Sequence, residues 1–192
     1  MPVARCPMAK IYLQALRERL PEQRVRHCVF TAEYLASFAL SIGLDHDEAV
    51  TAGLLHDYSR DLDKDAFLEE ARRLRLPLSE IHLAKPSMLH GPVAAELCRK
   101  EFGISEPVYE AIYWHTTGRP GLGRLGQALY VADFAEPGRT FEEAAETRSR
   151  LRKSGFDDAL RYVAEMKVHF NREKPVIDPN TEAFLLWLKK NP

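Results

Sequence analysis

The sequence predicts an all-α fold, and three observations carry that prediction. Nearly every segment repeats its apolar residues at the helical period, helix-capping signatures recur at segment starts, and no run alternates as a half-buried strand does. No internal repeat or low-complexity tract interrupts the pattern. With 192 residues, and at roughly 100–200 residues per domain, the chain is expected to form one domain over 1–192.

The first helix is expected over Met8 to Leu20. The second lies between Pro21 and Gly43, where Cys28, Ala32, Leu35, Ala39 and Ile42 make one apolar stripe with His27 on its flank. Asp45, with Glu48 following, forms a capping box for a third helix running to about Tyr58. On it Ala49, Ala52 and Gly53 share a face with His56, and such small side chains admit another helix closely. Asp61 or Asp63 caps a fourth helix through Leu74, and Pro77 to Ser87 reads as a longer connection. Pro92 suits the first turn of a fifth helix that begins near His90 and ends at Gly103. A sixth covers Ser105 to His115 and stops at "TTGRPG". The seventh, around Leu125 to Glu136, is apolar except for Asp133 and is closed by "EPG". Thr140 with Glu143 repeats the capping-box pattern for an eighth. The tail alternates apolar and charged positions through "AFLLWLKK", with Phe184 and Trp187 available for the core or for a homodimer contact.

Composition narrows the function. A formal net charge of -1 provides no global field for a nucleic-acid backbone or an anionic membrane, so a nucleotide partner must be gripped locally. The three cysteines, Cys6, Cys28 and Cys98, are odd in number and lack CxxC spacing, which argues against a disulfide framework or a cysteine zinc site and fits a reducing cytoplasm. The opening "MPVARCPMAK" lacks the apolar core of a signal peptide, and no apolar run reaches the roughly 18 residues that span a bilayer. The expected protein is cytoplasmic, bound to neither nucleic acid nor membrane.

The chemistry-bearing residues recur at helix ends and on apolar faces: His27, His56 with Asp57, His90, His115 and Asp133. Imidazole and carboxylate ligands from several helices, aimed into a bundle, are how helical proteins build metal sites. Asp133 is the most telling, because "ALYVADFA" gives it no capping role and an interior aspartate without a cation is costly.

The order H, then HD, then D resembles the signature of the HD-domain metal-dependent phosphohydrolases. The segments "LLHDYSRDL", "MLHGPVAAEL" and "IYWHTTGRPGLGRLGQALYVADFAEPGR" are similar to the YqeK group, bacterial HD-domain hydrolases that cut diadenosine tetraphosphate symmetrically into two ADP. The likeness covers about 22–153, and "HTTGR" together with "YVADFAEPGR" is its most specific part. Two positions depart from the group: Arg60 stands where lysine usually follows the HD and keeps the charge, while Gln127 stands where lysine is common and loses it.

The resemblance implies an HD-type helical bundle with two divalent ions. His27, His56, Asp57 and Asp133 would hold the first, and His90 and His115 a second that Asp57 bridges. Two ions against two carboxylates leave a net charge of about +2, suited to a polyphosphate, whereas one ion leaves about zero. The implied metal is iron, although manganese, cobalt or zinc also suits such ligands. The implied reaction is attack of metal-activated water on phosphorus. Asp57 and Asp61 are the catalytic carboxylates in this reading, with Asp61 positioning water or assisting the leaving oxygen. Arg60, Thr116, Arg119 and Arg139 are candidates for phosphate contact. Two alternatives stay open: the same metal core acting on a nucleoside mono- or triphosphate, and a nucleotide-sensing module without turnover.

Other motifs have plainer readings. His46-Asp47 follows an N-cap, where an acidic group suits the helix dipole. His82 and His169 are expected at the surface. "GLGRLG", Gly121 to Gly126, matches a dinucleotide-binding pattern without the strand that such a motif requires, and is expected as a flexible mouth of the site. "RSRLRK", Arg148 to Lys153, reads as a solvated helical face.

Overall fold

The computed structural model describes residues 3–172 and 178–191. Met1, Pro2 and Pro192, at the bounds of the expected domain, and part of the alternating tail lie outside them. Among the described residues the architecture is entirely helical, without a strand. The helices are α1 Ala9–Arg19, α2 Glu22–Ala39, α3 His46–Leu55, α4 Lys64–Arg73, α5 Glu80–Ala84, α6 His90–Phe102, α7 Glu106–Trp114, α8 Arg124–Ala135, α9 Glu142–Lys153, α10 Phe156–Asn171 and α11 Pro179–Lys190. No helix among the described residues is long and apolar enough to cross a membrane, and all three cysteines are buried free thiols.

The expected helix starts hold where a side chain caps them. Asp45 accepts from the backbone N–H groups of Asp47 and Glu48, and Asp63 rather than Asp61 caps α4 by accepting from Ala66 N–H. Glu48 does not close the expected box. Its carboxylate accepts from Ser105 Oγ at 2.5 Å instead, tying α3 to the start of α7. The Thr140 box is replaced: α9 starts after Phe141, which offers no side-chain cap. Phe141 packs edge-on against Phe134, and that contact sets the entry to the helix. The stretch from Pro77 to Ser87 is more ordered than a connection. It contains α5, capped by a Ser79–His82 box, followed by a 3-10 turn over Pro86–Leu89. His82 is thus half-buried and structural, not a free surface residue.

Two glycines let helices approach closely enough to bring histidines together. A Cβ on Gly53 would lie 2.4 Å from Ala32 Cα, so α2 and α3 touch backbone to backbone beside His27 and His56. A Cβ on Gly91 would lie 2.8 Å from the carbonyl oxygen of Tyr113, which draws α6 against α7 beside His90 and His115. A smaller apolar cluster of Phe67, Ala71, Leu74, Leu89 and Val93 seats α4 under the start of α6. Phe184 is buried in the core against Tyr130, its ring lying over Gly118, while Trp187 is half-buried and stacks on Phe184. The tail therefore closes the bundle.

Candidate metal centre

Four histidines and two aspartates converge from five places in the chain. His27 comes from the middle of α2, His56 from the end of α3, Asp57 from the turn that follows, His90 from the start of α6, His115 from the end of α7 and Asp133 from α8. Two groups that could hold a metal ion result, His27–His56–Asp57 and Asp57–His90–His115, sharing Asp57; His56, Asp57, His90 and His115 are buried.

The carboxylate of Asp57 splits its oxygens between them. Oδ2 lies 3.9 Å from His27 Nε2 and 3.8 Å from His56 Nε2, while Oδ1 lies 3.6 Å from His90 Nε2 and 3.8 Å from His115 Nε2. Asp133 Oδ1 joins only the first group, 3.1 Å from His27 Nε2 and 3.7 Å from His56 Nε2.

The orientation of the imidazoles is fixed from behind. Nδ1 of His56 faces the Gly53 carbonyl at 2.8 Å, that of His90 the Ser87 carbonyl at 2.7 Å and that of His115 the Ile112 carbonyl at 2.7 Å. A carbonyl can only accept, so each Nδ1 carries the proton and each Nε2 presents a lone pair to the cluster. His90 Nε2 and His115 Nε2 then face each other at 3.0 Å as two acceptors, and the Thr116 hydroxyl, 3.0 Å from one and 3.2 Å from the other, has a proton for only one of them. His27 Nε2 and His56 Nε2 are 3.2 Å apart. Two nitrogens each about 2.1 Å from a shared ion, at an angle near 90–110°, lie roughly 3 Å apart. The donor set and its spacing therefore fit divalent cations.

Charge differs across the cluster. Burial pushes the pKa of His90 down to about 4, and it lowers His56 and His115 too, so these three are neutral ligands. His27 departs from them: burial lowers it, but hydrogen bonds to Asp133 and to Glu136 outweigh that and raise it to about 9. Burial would push the carboxyls of Asp57 and Asp133 up, yet both are lowered and stay ionised: Asp133 accepts a hydrogen bond from charged His27, and Asp57 accepts from Arg24 Nη1 at 2.9 Å.

Of the expected phosphate contacts, Arg60, Thr116 and Arg139 line the cleft of about 320 Å³ that opens on Asp57, His90, His115 and Asp133. Arg60 is half-buried there and has no carboxylate within ion-pair distance among the described residues. Arg139 Nη2 donates to Asp133 Oδ1 at 3.1 Å. Arg119 is not brought to the cleft: its guanidinium pairs with Glu110 and lies 5.9 Å from the Trp114 ring centroid. Asp61 is exposed at the rim, on the wall of a neighbouring cavity with Arg24 and His27.

Gln127 also faces away, donating to the Leu122 carbonyl at 2.7 Å. Its lost charge leaves the cleft unchanged. "GLGRLG" is not a mouth of the site either; Gly123 precedes α8, Gly126 is buried within it, and Arg124 pairs with Asp157. His46-Asp47 pairs with itself on the surface, and His169 is exposed as expected.

Sequence reasoning missed several residues of the site. Arg24, one turn before His27, donates to Asp57 Oδ2 at 2.9 Å. Glu136, read only as a helix stop, is buried and accepts from His27 Nδ1 at 3.1 Å. Lys167 of α10 lines the cleft, donates to the carbonyls of His115 and Thr116 at 3.1 and 3.3 Å, and is lowered by burial to about 8. Arg148 is no solvated residue: its Nη1 donates to the carbonyls of Ala135, Glu136 and Arg139, which fixes the loop carrying two site residues. Its i,i+3 spacing to His27 could have flagged Arg24; the others offered no local signal.

Fold and cluster together define a helical protein with a carboxylate-bridged pair of candidate metal positions. The HD domain family model matches residues 24–168, and the chain belongs to that family. It is 31% identical over 180 residues to the symmetrical bis(5'-nucleosyl)-tetraphosphatase of Bacillus subtilis, covering 92% of this chain and 95% of that one. It is 33% identical over 141 residues to the enzyme of that name from Halalkalibacterium halodurans, covering 73% and 75%. A crystal structure of a predicted HD superfamily hydrolase involved in NAD metabolism from Clostridium acetobutylicum superposes with a TM-score of 0.89 at 28% identity, over 95% of this chain and 97% of that one.

Proposed function

We propose that this protein is a metal-dependent phosphohydrolase that cleaves diadenosine tetraphosphate symmetrically into two ADP, acting in the cytoplasm as a single helical domain over 1–192. The carrying observation is the pair of imidazole groups whose Nε2 atoms gather around the two oxygens of Asp57. The similarity to two relatives bearing the symmetrical tetraphosphatase name supports the substrate.

In this reading His27, His56, Asp57 and Asp133 hold one divalent ion and Asp57, His90 and His115 a second, with iron the metal we favour. Bound there, such ions supply the positive charge and acidity that make water a nucleophile at neutral pH. The protein's own residues set the geometry. Asp57 would contribute one oxygen to each position, while the backbone carbonyls behind His56, His90 and His115 hold each Nε2 toward the cluster. Arg60, which has no carboxylate partner among the described residues, would take a phosphate, and Arg139 and Thr116 border the same path. Asp61, at the rim, is our candidate for ordering the attacking water. ADP is an adequate leaving group without an acid catalyst, so no proton donor is assigned.

Product analysis tests the proposal. The expected result is two ADP per diadenosine tetraphosphate, lost on chelation and restored by a divalent metal. AMP plus ATP, or no turnover of the dinucleotide while a nucleoside mono- or triphosphate is cleaved, would give the metal core another substrate. Tight nucleotide binding without hydrolysis in any divalent metal would make the chain a sensor.

A further inference from the structure

We propose that the cavity walled by Phe30 seats one nucleoside of the substrate, with the base stacked on the Phe30 ring. The inference rests on the tetraphosphate reading. A cut at the centre of a symmetrical dinucleotide leaves two equal arms, each a nucleoside diphosphate, and they must depart from the metal cluster in different directions.

The cluster has room for this. The 320 Å³ cleft over Asp57, His90, His115 and Asp133 adjoins a second cavity of about 490 Å³ that reaches Phe30, and Arg24 and Arg139 belong to both. The second volume falls within the roughly 300–1,000 Å³ of ordinary small-molecule sites. Arg24 donates to Asp57 and Arg139 to Asp133 at the cluster, while Phe30 lines the second cavity only, so a phosphate chain leaving along His27 would meet the two guanidinium groups before Phe30, the order of groups in a nucleoside diphosphate. Arg26 adds a further cation on the same wall, with no ion-pair partner among the described residues.

Phe30 is also held as a platform. Its side chain is half-exposed, and its ring packs so tightly on Gly138 that a Cβ there would come within 2.9 Å of Cδ2, and within 2.8 Å of Glu136 Oε2. The loop beneath is pinned by Arg148 to three carbonyls. A purine face on a fixed aromatic ring is a sequence-tolerant contact that adds affinity without touching the reacting atoms.

The test compares ADP with inorganic pyrophosphate, which has the phosphates and no base, by calorimetry on metal-loaded wild type, Phe30→Ala, Phe30→Leu and Phe30→Trp. ADP affinity is expected to fall about tenfold in the Ala and Leu variants, with pyrophosphate unchanged within about twofold and Trp restoring ADP. KM for diadenosine tetraphosphate should rise about tenfold in the same variants, with kcat within about threefold. Unchanged ADP affinity, equal losses of ADP and pyrophosphate, or a wild type that binds ADP no better than pyrophosphate each overturns the proposal. Leu keeps the apolar bulk if Ala fails to fold. Should wild type release no ADP from the dinucleotide while Phe30→Ala still loses ADP selectively, the reaction assignment fails and the base site stands.

Discussion

The His27 side of the cluster and the His90 side hold the same number of imidazoles and differ in almost everything else. The first gathers Asp133, one oxygen of Asp57 and, behind His27, Glu136. Among the described residues the second has neutral His90 and His115 and only the other oxygen of Asp57. Carboxylates attract a cation; neutral imidazoles shape its surroundings and leave its charge exposed. On the proposed two-ion reading the difference would separate a retaining position from a working one. The carboxylate-rich side should keep its ion, and the carboxylate-poor side should turn more of its positive charge toward phosphate, next to Arg60 and Thr116.

Among the described residues Asp57 is the one common to both sides, so its loss should be the most damaging. In Asp57→Ala, metal content should fall from about two per chain to one or none, and turnover by about a thousandfold or more. Elemental analysis beside a steady-state assay checks it; retained turnover would end the proposed mechanism. Removing one side only should break the symmetry of the result. His90→Ala should lose one ion and keep the other, whereas Asp133→Asn should weaken the ion that His90→Ala retains, with activity down about a hundredfold in each. Loss of both ions from His90→Ala would show that the sides are not separable.

What the sequence made legible follows the same division. His27, His56, Asp57, His90, His115 and Asp133 stood out because polar groups on apolar helical faces demand an explanation, and Asp133 in "ALYVADFA" has no local one. The groups that orient or counter them did not stand out. Arg24 and Lys167 lie on amphipathic helices where a cation ordinarily faces water, and Glu136 looks like a helix stop. Their meaning comes from partners 33, 52 and 109 positions away. The helices were legible for a similar reason: capping by Asp45 and Asp63 is local chemistry. The start of α9 was not, because Phe141 is placed by Phe134 across a turn. Arg119 shows the reverse error, a cation of the right kind beside the right motif that Glu110 takes away.

A smaller effect should sharpen the working side. Arg60→Met removes a half-buried cation that has no carboxylate partner among the described residues, so it should raise KM about tenfold and leave metal content untouched, while Arg60→Lys, which keeps the charge, should recover most of the loss. A kcat effect with unchanged KM would place Arg60 in the transition state alone.

The finest distinction is a single proton. Metal ligands must be deprotonated, and His27, raised to about 9, carries a proton at neutral pH, whereas His90, lowered to about 4, does not. An ion entering the first side at about pH 7.5 should expel close to one proton, and one entering the second side none. Its affinity for the first side should then rise about tenfold per pH unit until about pH 9 and flatten, while that for the second stays level above about pH 5. The metal-free protein should show the converse. The stability from His27 is fully present below its unfolded value of 6.5 and is lost as pH rises through about 9, while His90 costs stability as pH falls from 6.5 toward 4. Calorimetric titration in two buffers of different ionisation enthalpy counts the protons for each ion directly. Equal release from both steps would mean that Glu136 and Asp133 do not set the first side apart, and the division between a retaining and a working ion would have to be drawn elsewhere.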